Sequence, residues 1–482
     1  DFSSYCRRRF STCVCPSRDR RRRRRARPVR PRSPARGGVM FDGVAGEELT
    51  TQEYAAQLDA EDPLAEYRAM FLQPKAQHRD QVTYLCGNSL GLQPAGVRAA
   101  VLEDLDRWAA HGVEGHFVSE GPGVPWVDIE ERSRDAAARI VGADDAALEV
   151  ALMNSTTVNL HVLLSAFYQP TAQRNKILIE AGAFPSDDYA VQSTLQRHGY
   201  GAAEIVRVDV LGGVAGIRDG DVGTDAVVAA IERAGSSLAV VLVGALQYYS
   251  GALFDVKRIA DAAHAVGAIA GFDVAHAAGN IDLRLHDDGA DFACWCSYKY
   301  LNAGPGAIAG AFVHARHADA EMPGAMRGWW GNKLATRFEM RPEFDGQRGV
   351  AGLQLANPPT LPMVQLGVAY AVTDRATMTQ LRVKSIKLTA YLELCLERFG
   401  VTRHCRILTP RDSARRGCQL SLKFEDGTAS AVCDLLRARD VFVDLRRPDV
   451  IRVAPAPLYN TFSDARRGAL YLAEAIEEMR RT

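Results

Sequence analysis

The chain has 482 residues, 47% hydrophobic and 24% charged, a composition that excludes a largely disordered protein and leaves room for about two to four domains. Its 58 basic and 58 acidic side chains cancel, but residues 1–39 carry 14 Arg against two acids, so the other 443 residues hold 44 bases against 56 acids. An acidic body excludes a general nucleic-acid binder. The longest apolar run, Leu238–Leu246, spans nine residues, about half of what a membrane-crossing helix requires, so no membrane span is expected.

Taken in chain order, residues 1–39 come first. The run Arg20–Arg25, followed by Pro28, Pro31 and Pro34, cannot bury apolar surface and reads as a disordered basic extension. Met40 is the first methionine and domain-like sequence follows it directly. We therefore read 1–39 as sequence upstream of the true start, in preference to a mitochondrial transit peptide or a nucleic-acid arm. Residues 40–94 form an N-terminal segment. Helical spacing covers Gln93–His111 (Val97, Val101, Leu105, Trp108) and Asp128–Val141. Short β-branched apolar runs then alternate with helix-like stretches: Lys176–Glu180, Ile205–Val210, Leu238–Val243, Ala268–Phe272, Asp291–Cys296 and Ala307–Val313. Asp255–Val266 is an amphipathic helix between two of them, a βαβ unit. The expectation is an α/β fold: a large domain over 95–360, with a mixed, mostly parallel sheet covered by helices on both faces. After about residue 360 a long helical stretch, Leu361–Arg398, leads into strands at Gly417–Phe424, Val441–Asp444 and Ile451–Val453 and helices at Ser430–Arg439 and the C-terminus. Residues 361–482 thus read as a smaller α+β domain.

Cysteine usage is uninformative about metals. Three of ten cysteines precede Met40; the other seven are scattered without a C-x-x-C pair, so neither a disulfide framework nor a zinc site is expected, and a reducing, cytoplasmic compartment fits. Metalloprotease, P-loop and serine-hydrolase signatures are absent. What remains is a lysine. Of eight lysines, seven sit in polar or edge contexts, whereas Lys299 lies in the apolar and aromatic run Cys294-Trp295-Cys296-Ser297-Tyr298-Lys299-Tyr300-Leu301-Asn302. Burial there favours an amine that is neutral or covalently engaged, as in a Schiff base; a lysine snorkelling from a strand end is the ordinary alternative. Asp273 follows an apolar strand directly, which places it at the carboxyl edge of the sheet, where α/β ligand sites form. A pyridine-based cofactor needs this pair, a carboxylate for the ring nitrogen and a lysine for the aldehyde carbon.

Beyond these two residues, several segments are similar to the kynureninase family. They are Tyr84–Leu92 (Tyr-Leu-Cys-Gly-Asn-Ser-Leu-Gly-Leu), Met153–Asn159, Phe184-Pro185-Ser186-Asp187, Phe272–His276, Ser297–Asn302, Gly328-Trp329-Trp330-Gly331, Asn357-Pro358-Pro359 and Ile451–Pro455. The resemblance runs from about Tyr84 to the C-terminus. It implies the fold type I architecture of pyridoxal 5′-phosphate (PLP) enzymes and the hydrolysis of L-kynurenine or 3-hydroxy-L-kynurenine at Cβ–Cγ. The products are L-alanine and anthranilate or 3-hydroxyanthranilate, a step of tryptophan catabolism and NAD biosynthesis. It implies a homodimer whose site borrows residues across the interface. It makes Lys299, Tyr298 and Asp273 the catalytic residues. It places Thr156, Thr157, Phe184, Pro185, Ser186, Asp187, Asp273, His276, Tyr298, Lys299, Trp329 and Asn357 around the cofactor. Substrate contacts fall to Ser89, His116, Asn332, Asn357 and Arg452, and His116 and Asn357 suggest a preference for the 3-hydroxy substrate.

Each role has an ordinary alternative. Thr156 and Thr157 could be helix caps, Phe184 and Trp329 plain core, and His276 a structural histidine. Asn357 could mark a turn, Arg452 lie on the surface, and His116 cap a loop. The chain departs from relatives at Asn332, where some carry His, and at Gly244, where others have Ser. The competing readings are a cysteine-desulfurase-like PLP lyase, which would need a reactive Cys near the cofactor, and a non-catalytic PLP-binding scaffold, which would have lost Lys299 or Asp273.

Overall fold

A computed structural model describes residues 48–118, 124–211, 222–425 and 427–481. The basic extension read at 1–39 lies outside them. Seven strands build the main sheet: β1 (Val150–Leu152), β2 (Lys176–Glu180), β3 (Ile205–Val208), β4 (Leu238–Gly244), β5 (Ile269–Asp273), β6 (Phe292–Trp295) and β7 (Gly310–Val313). Their order is β1-β7-β6-β5-β4-β2-β3. The β3–β2–β4–β5–β6 pairings are parallel; β7 is antiparallel to both β6 and β1, so it alone runs against the others.

Burial on both faces explains the uninterrupted apolar runs, and alternate residues supply two cores. Ile177, Ile179, Val240, Leu242 and Cys294 pack under helices α4 (Thr156–Phe167) and α5 (Pro185–Arg197). Leu178, Val241, Val243, Phe272 and Trp295 pack under α3 (Glu131–Val141), α6 (Val222–Ala234), α7 (Val256–Ala265) and α8 (Thr360–Ala376). Asp255 caps α7 by accepting the Arg258 N–H at 3.1 Å. The helix expected over Gln93–His111 begins later, as α2 (Val97–His111), because Gln93–Pro94 pairs with Phe71–Leu72 instead. Strand β1 was not expected; three residues are too few to show a period.

The stretch 361–398 is two helices, α8 and α9 (Met378–Arg398), rather than one. Thr377 between them adopts φ +59°, and its hydroxyl caps α9 at the Gln380 N–H, 3.4 Å away. Beyond α9 an antiparallel sheet of order β8-β9-β11-β10 is formed by β8 (Arg406–Ile407), β9 (Leu420–Lys423), β10 (Asp444–Arg446) and β11 (Val450–Val453). Its core is shared with α9, α10 (Ala429–Arg437) and α11 (Phe462–Arg481). The N-terminal segment belongs to this packing. Leu49, Ala55, Leu58 and Leu85 enter the same core, and α1 (Gln52–Ala60) lies against α11. Val441–Phe442, expected as the start of one strand running to Asp444, pairs in parallel with Thr83–Tyr84. Among the described residues no helix is long and apolar enough to cross a membrane.

Candidate active site

The carboxyl ends of the parallel strands open onto a cleft. From β1 the chain turns through Asn154, at φ +53°, whose amide bonds Asn159 Oδ1 at 3.0 Å; Asn159 in turn donates to Met153 O at 3.0 Å. This turn starts α4. Its cap is Ser155, which accepts the Val158 N–H at 3.4 Å, so Thr156 and Thr157 are released from capping and line the cleft at the helix start. A helix N-terminus with two hydroxyls suits a phosphate. From β2 the chain passes Phe184, which lines the cleft, to Pro185 at the first position of α5 and Asp187 in its first turn.

Asp273 ends β5 and accepts the Ala275 N–H at 2.7 Å. Burial pushes its carboxyl up, against the Lys299 ammonium and that N–H, which pull it down. Asp187 is pushed well up, by burial first and then by the charges of Asp273 and Glu180, while Lys299 pulls it down. His276 is held well below its usual range by burial and by the cations Lys299, Arg452 and Arg446, which makes it a neutral imidazole. Burial likewise keeps the Tyr298 phenol protonated.

Lys299 follows β6. It is half-buried rather than buried, with Nζ 5.9 Å from the centre of the Phe184 ring and 6.0 Å from that of Tyr298. The apolar flank of the sequence is real but belongs to its neighbours: Trp295, Cys296, Tyr300 and Leu301 are the buried ones. The loop is shaped by Tyr84–Leu92. Gly91 donates to Tyr298 O at 2.8 Å, and a Cβ on Gly91 would stand 2.3 Å from Lys299 O, so only glycine allows this approach. Two buried polar atoms here have no hydrogen-bond partner among the described residues, Asp187 Oδ1 and His276 Nδ1. Unpaired groups of this kind, with a helix start at one end, a carboxylate at the other and a lysine between, fit a phosphorylated pyridine cofactor.

The sequence-predicted residues fall into two groups. Thr156, Thr157, Phe184, Ser186, Asp187, Asp273, His276, Tyr298 and Lys299 line one cleft. Pro185 lies beside its wall as the first residue of α5. Arg452 is fully buried just behind the wall: Nη1 bonds Tyr248 O at 2.8 Å and Nε bonds Asp444 Oδ1 at 2.9 Å. The surface alternative for Arg452 is thereby excluded. Ser89 lies half-buried in the turn Cys86–Ser89, outside the cleft wall. The second group sits elsewhere on this chain. His116 packs edge-on against Trp126 (5.3 Å) and beside Phe117; Phe117 meets Phe338 (5.7 Å), and Phe338 meets Trp329 (5.5 Å). Trp329 is 46% exposed and its indole N–H bonds Arg337 O at 3.0 Å, which excludes the plain-core alternative. Asn332 lines the same surface hollow as Trp329 and accepts the Asp345 N–H at 2.7 Å, while Asn357 is exposed in the loop before α8.

Sequence reasoning missed Glu180, Gln247 and Tyr248, which complete the cleft wall. Glu180 carried the same signal as Asp273, an acid directly after an apolar strand. Tyr248 and Gln247 carried none. At the opposite edge of the sheet Glu149, His286 and His314 bring ligand-type atoms within 4.8 Å of one another. Glu149 there already accepts the Ala315, Asp144 and Asp145 N–H groups and pairs with His286, so hydrogen bonds account for the cluster.

Against known proteins, residues 381–472 match the model of the kynureninase C-terminal domain. A kynureninase of Xanthomonas euvesicatoria pv. vesicatoria is 49% identical over 420 residues, 86% of this chain and 96% of that protein. The chain belongs to the kynureninase family. A kynureninase of Monosiga brevicollis is 45% identical over 457 residues, covering 89% of this chain and 97% of its own. Among solved structures, the Escherichia coli cysteine desulfurase CsdA superposes with a TM-score of 0.68 at 17% identity, over 87% of this chain and 98% of that one. A C-DES variant with glycine linked to its PLP cofactor gives 0.68 at 16% identity, over 83% and 100%. At that identity the likeness is one of fold: the chain has the α/β architecture that the strand pattern predicted, in the fold type I form that the resemblance implied.

Proposed function

We propose that this chain, a PLP-dependent C–C hydrolase, cleaves L-kynurenine or 3-hydroxy-L-kynurenine at Cβ–Cγ, giving L-alanine and anthranilate or 3-hydroxyanthranilate. The observation that carries the reading is that Lys299, Asp273 and the Thr156–Thr157 helix start converge on one cleft in a chain 49% identical to a curated kynureninase over most of its length. PLP, when bound, supplies an electron sink for the charge that develops on the substrate. Thr156, Thr157 and the first amides of α4 would hold its phosphate, and Phe184 with the Pro185-Ser186-Asp187 turn would hold its ring. Asp273 would pair with the ring nitrogen and hold its proton. Lys299 would hold the aldehyde carbon and move the proton at the substrate Cα. The Tyr298 phenol, protonated because it is buried, hands its proton to the departing carbon. His276, neutral, offers a hydrogen bond without charge. Arg452 takes the substrate carboxylate, its fork aimed by Asp444.

The finer reading concerns a second copy. His116, Trp329, Asn332 and Asn357 are not among the described residues that line the Lys299 cleft of their own chain, and α2 exposes Leu102, Leu105 and Trp108. A homodimer in which this cluster caps the partner's cleft uses both features and brings polar groups to the substrate's aryl ring. A cytoplasmic enzyme fits cysteines scattered without a C-x-x-C pair. The desulfurase alternative is weaker on its own terms: Cys296, which lines the cleft, is buried with its thiol pushed up by that burial, and Cys405 and Cys418 are buried as well. A non-catalytic scaffold is disfavoured by the joint presence of Lys299 and Asp273.

The test is to load the purified chain with PLP, add kynurenine and follow anthranilate fluorescence. Turnover with one alanine per anthranilate is expected. A PLP-loaded protein that releases neither product overturns the reading.

A further inference from the structure

The turn after β4 is held at three successive carbonyls by side chains around the four-stranded sheet. Arg452 Nη1 and Gln419 Nε2 donate to Tyr248 O at 2.8 and 3.1 Å, Ser421 Oγ to Tyr249 O at 2.6 Å, and Thr409 Oγ1 to Ser250 O at 2.7 Å. All four side chains are fully buried. Gln419 is itself fixed, since its Oε1 accepts the Asn88 amide at 2.9 Å. A turn satisfied this completely presents its side chains in one arrangement. The two tyrosines on it differ. Tyr249 turns its phenol to Asp449 Oδ1, 3.4 Å away. Tyr248 lines the Lys299 cleft, its ring edge-on to Phe184 at 5.5 Å and 6.3 Å from that of His276. Lys299 Nζ lies 5.9 Å from the centre of the same Phe184 ring. Among the described residues the Tyr248 phenol has no hydrogen-bond partner, and burial pushes it up, so it is a protonated donor.

The other donors of the lining already have work. In the proposed reading Thr156 and Thr157 serve the phosphate, His276 the cofactor and Tyr298 the departing carbon. Gln247 is engaged at both ends, by the Tyr249 and Ser250 N–H groups on its oxygen, at 2.6 and 2.9 Å, and by Glu180 on its NH₂. The reaction leaves one atom unserved. Turning the γ-carbonyl of kynurenine into the carboxylate of anthranilate requires the oxygen of water to join that carbon, and negative charge rises on the γ-oxygen as it does. We infer that Tyr248 is a substrate-binding residue whose phenol donates a hydrogen bond to this γ-oxygen. The inference rests on the kynurenine reading. A substrate with its carboxylate on Arg452 and its Cα at Lys299 runs past Tyr248, because the Tyr248 backbone bonds Arg452 and its ring shares Phe184 with Lys299.

The experiment uses Y248F, which keeps the ring against Phe184 and removes only the hydroxyl. Steady-state kinetics on kynurenine are paired with the binding of two analogues to the PLP-loaded protein, one with CHOH and one with CH₂ in place of the γ-carbonyl. Affinities are read from the initial change in cofactor absorbance on mixing. In Y248F kcat falls about a hundredfold while KM stays within about threefold, since the bond strengthens as charge develops. The wild type binds the γ-alcohol about tenfold tighter than the γ-methylene compound. In Y248F that preference drops below about twofold, with the γ-methylene compound bound as before. A kcat within about threefold of wild type, or a preference that persists in Y248F, overturns the inference. Should Y248F lose PLP, the wild type decides: a γ-alcohol bound about tenfold tighter supports the inference, and one bound no tighter overturns it. A PLP-loaded wild type that binds neither analogue and leaves kynurenine intact refutes the kynurenine reading, and the role of Tyr248 with it.

Discussion

Asp444 is the residue on which the carboxylate-binding arginine depends. It faces Arg452 directly across β10 and β11, and its Oδ1 lies 2.9 Å from Arg452 Nε and 2.8 Å from Nη2; Arg446 Nε reaches the same oxygen at 2.9 Å. Arg452 is fully buried. Burial works against its charge, and Asp444 is the principal group that restores it. Asp444→Asn keeps the shape and one acceptor but removes the charge, leaving two guanidinium groups facing each other with only the Tyr248 carbonyl to help. Breaking a buried ion pair from one side costs about 3–5 kcal/mol. Because Asn still accepts one bond and the Tyr248 oxygen remains at 2.8 Å, the lower end, about 3 kcal/mol, is expected. In catalysis the loss falls on orientation of the fork, so KM rises about tenfold or more while kcat changes by less than about threefold. Urea unfolding and steady-state kinetics on kynurenine read the two effects separately. A variant within about 0.5 kcal/mol of wild type and with an unchanged KM refutes the argument, since Asp444 would then neither neutralise nor aim Arg452.

Lys299→Ala abolishes turnover and the visible absorbance of the bound cofactor; retained absorbance with the cofactor attached to Lys176 or Lys333 would reassign the lysine. A preference for 3-hydroxykynurenine of about tenfold or more in kcat/KM is the expected outcome, the value of one hydrogen bond left unpaired by the smaller substrate. His116→Phe and Asn357→Ser reduce that preference, and equal kcat/KM for both substrates in the wild type contradicts it. Asp291, buried, is pushed up by its burial but pulled further down, to about 2, by hydrogen bonds from His317, the Ala270 N–H and His264. A depressed carboxylate stabilises the fold above its unfolded value near 3.8 and loses that effect as pH falls toward 2, a contribution of about 2–3 kcal/mol. The stability gap between wild type and Asp291→Asn in urea unfolding should therefore narrow from about pH 5 to 3, and a constant gap would exclude the linkage.

Much of this site is local in origin. Apolar runs such as Lys176–Glu180 announce strands because a residue buried on both faces of a parallel sheet must be apolar whatever its neighbours are. A polar residue directly after such a run, Asp273 or Glu180, must then lie at the sheet's carboxyl edge. Lys299 stood out for a different reason, a single amine in an apolar and aromatic run. Those inferences need only the chain's period, the cost of burying an amine and the rule that ligands gather at that edge, so the sequence by itself determined the fold class and pointed to Lys299 and Asp273 as residues of one cleft.

The tertiary structure decided what depends on turns and on approach between distant segments. Thr377 breaks a helix with no glycine or proline to announce it, because the packing of α8 and α9, not local propensity, imposes its positive φ. Tyr248 and Gln247 reach the cleft only because the turn after β4 folds back over Glu180 and meets Arg452 from a strand some 200 residues away. His116 and Trp329, placed at the substrate and at the cofactor by family resemblance, instead join through Phe117 and Phe338 into an aromatic cluster outside the lining of their own cleft. Periodicity reports which face of an element is buried, whereas the partner that covers that face is chosen by long-range packing, which no local pattern encodes.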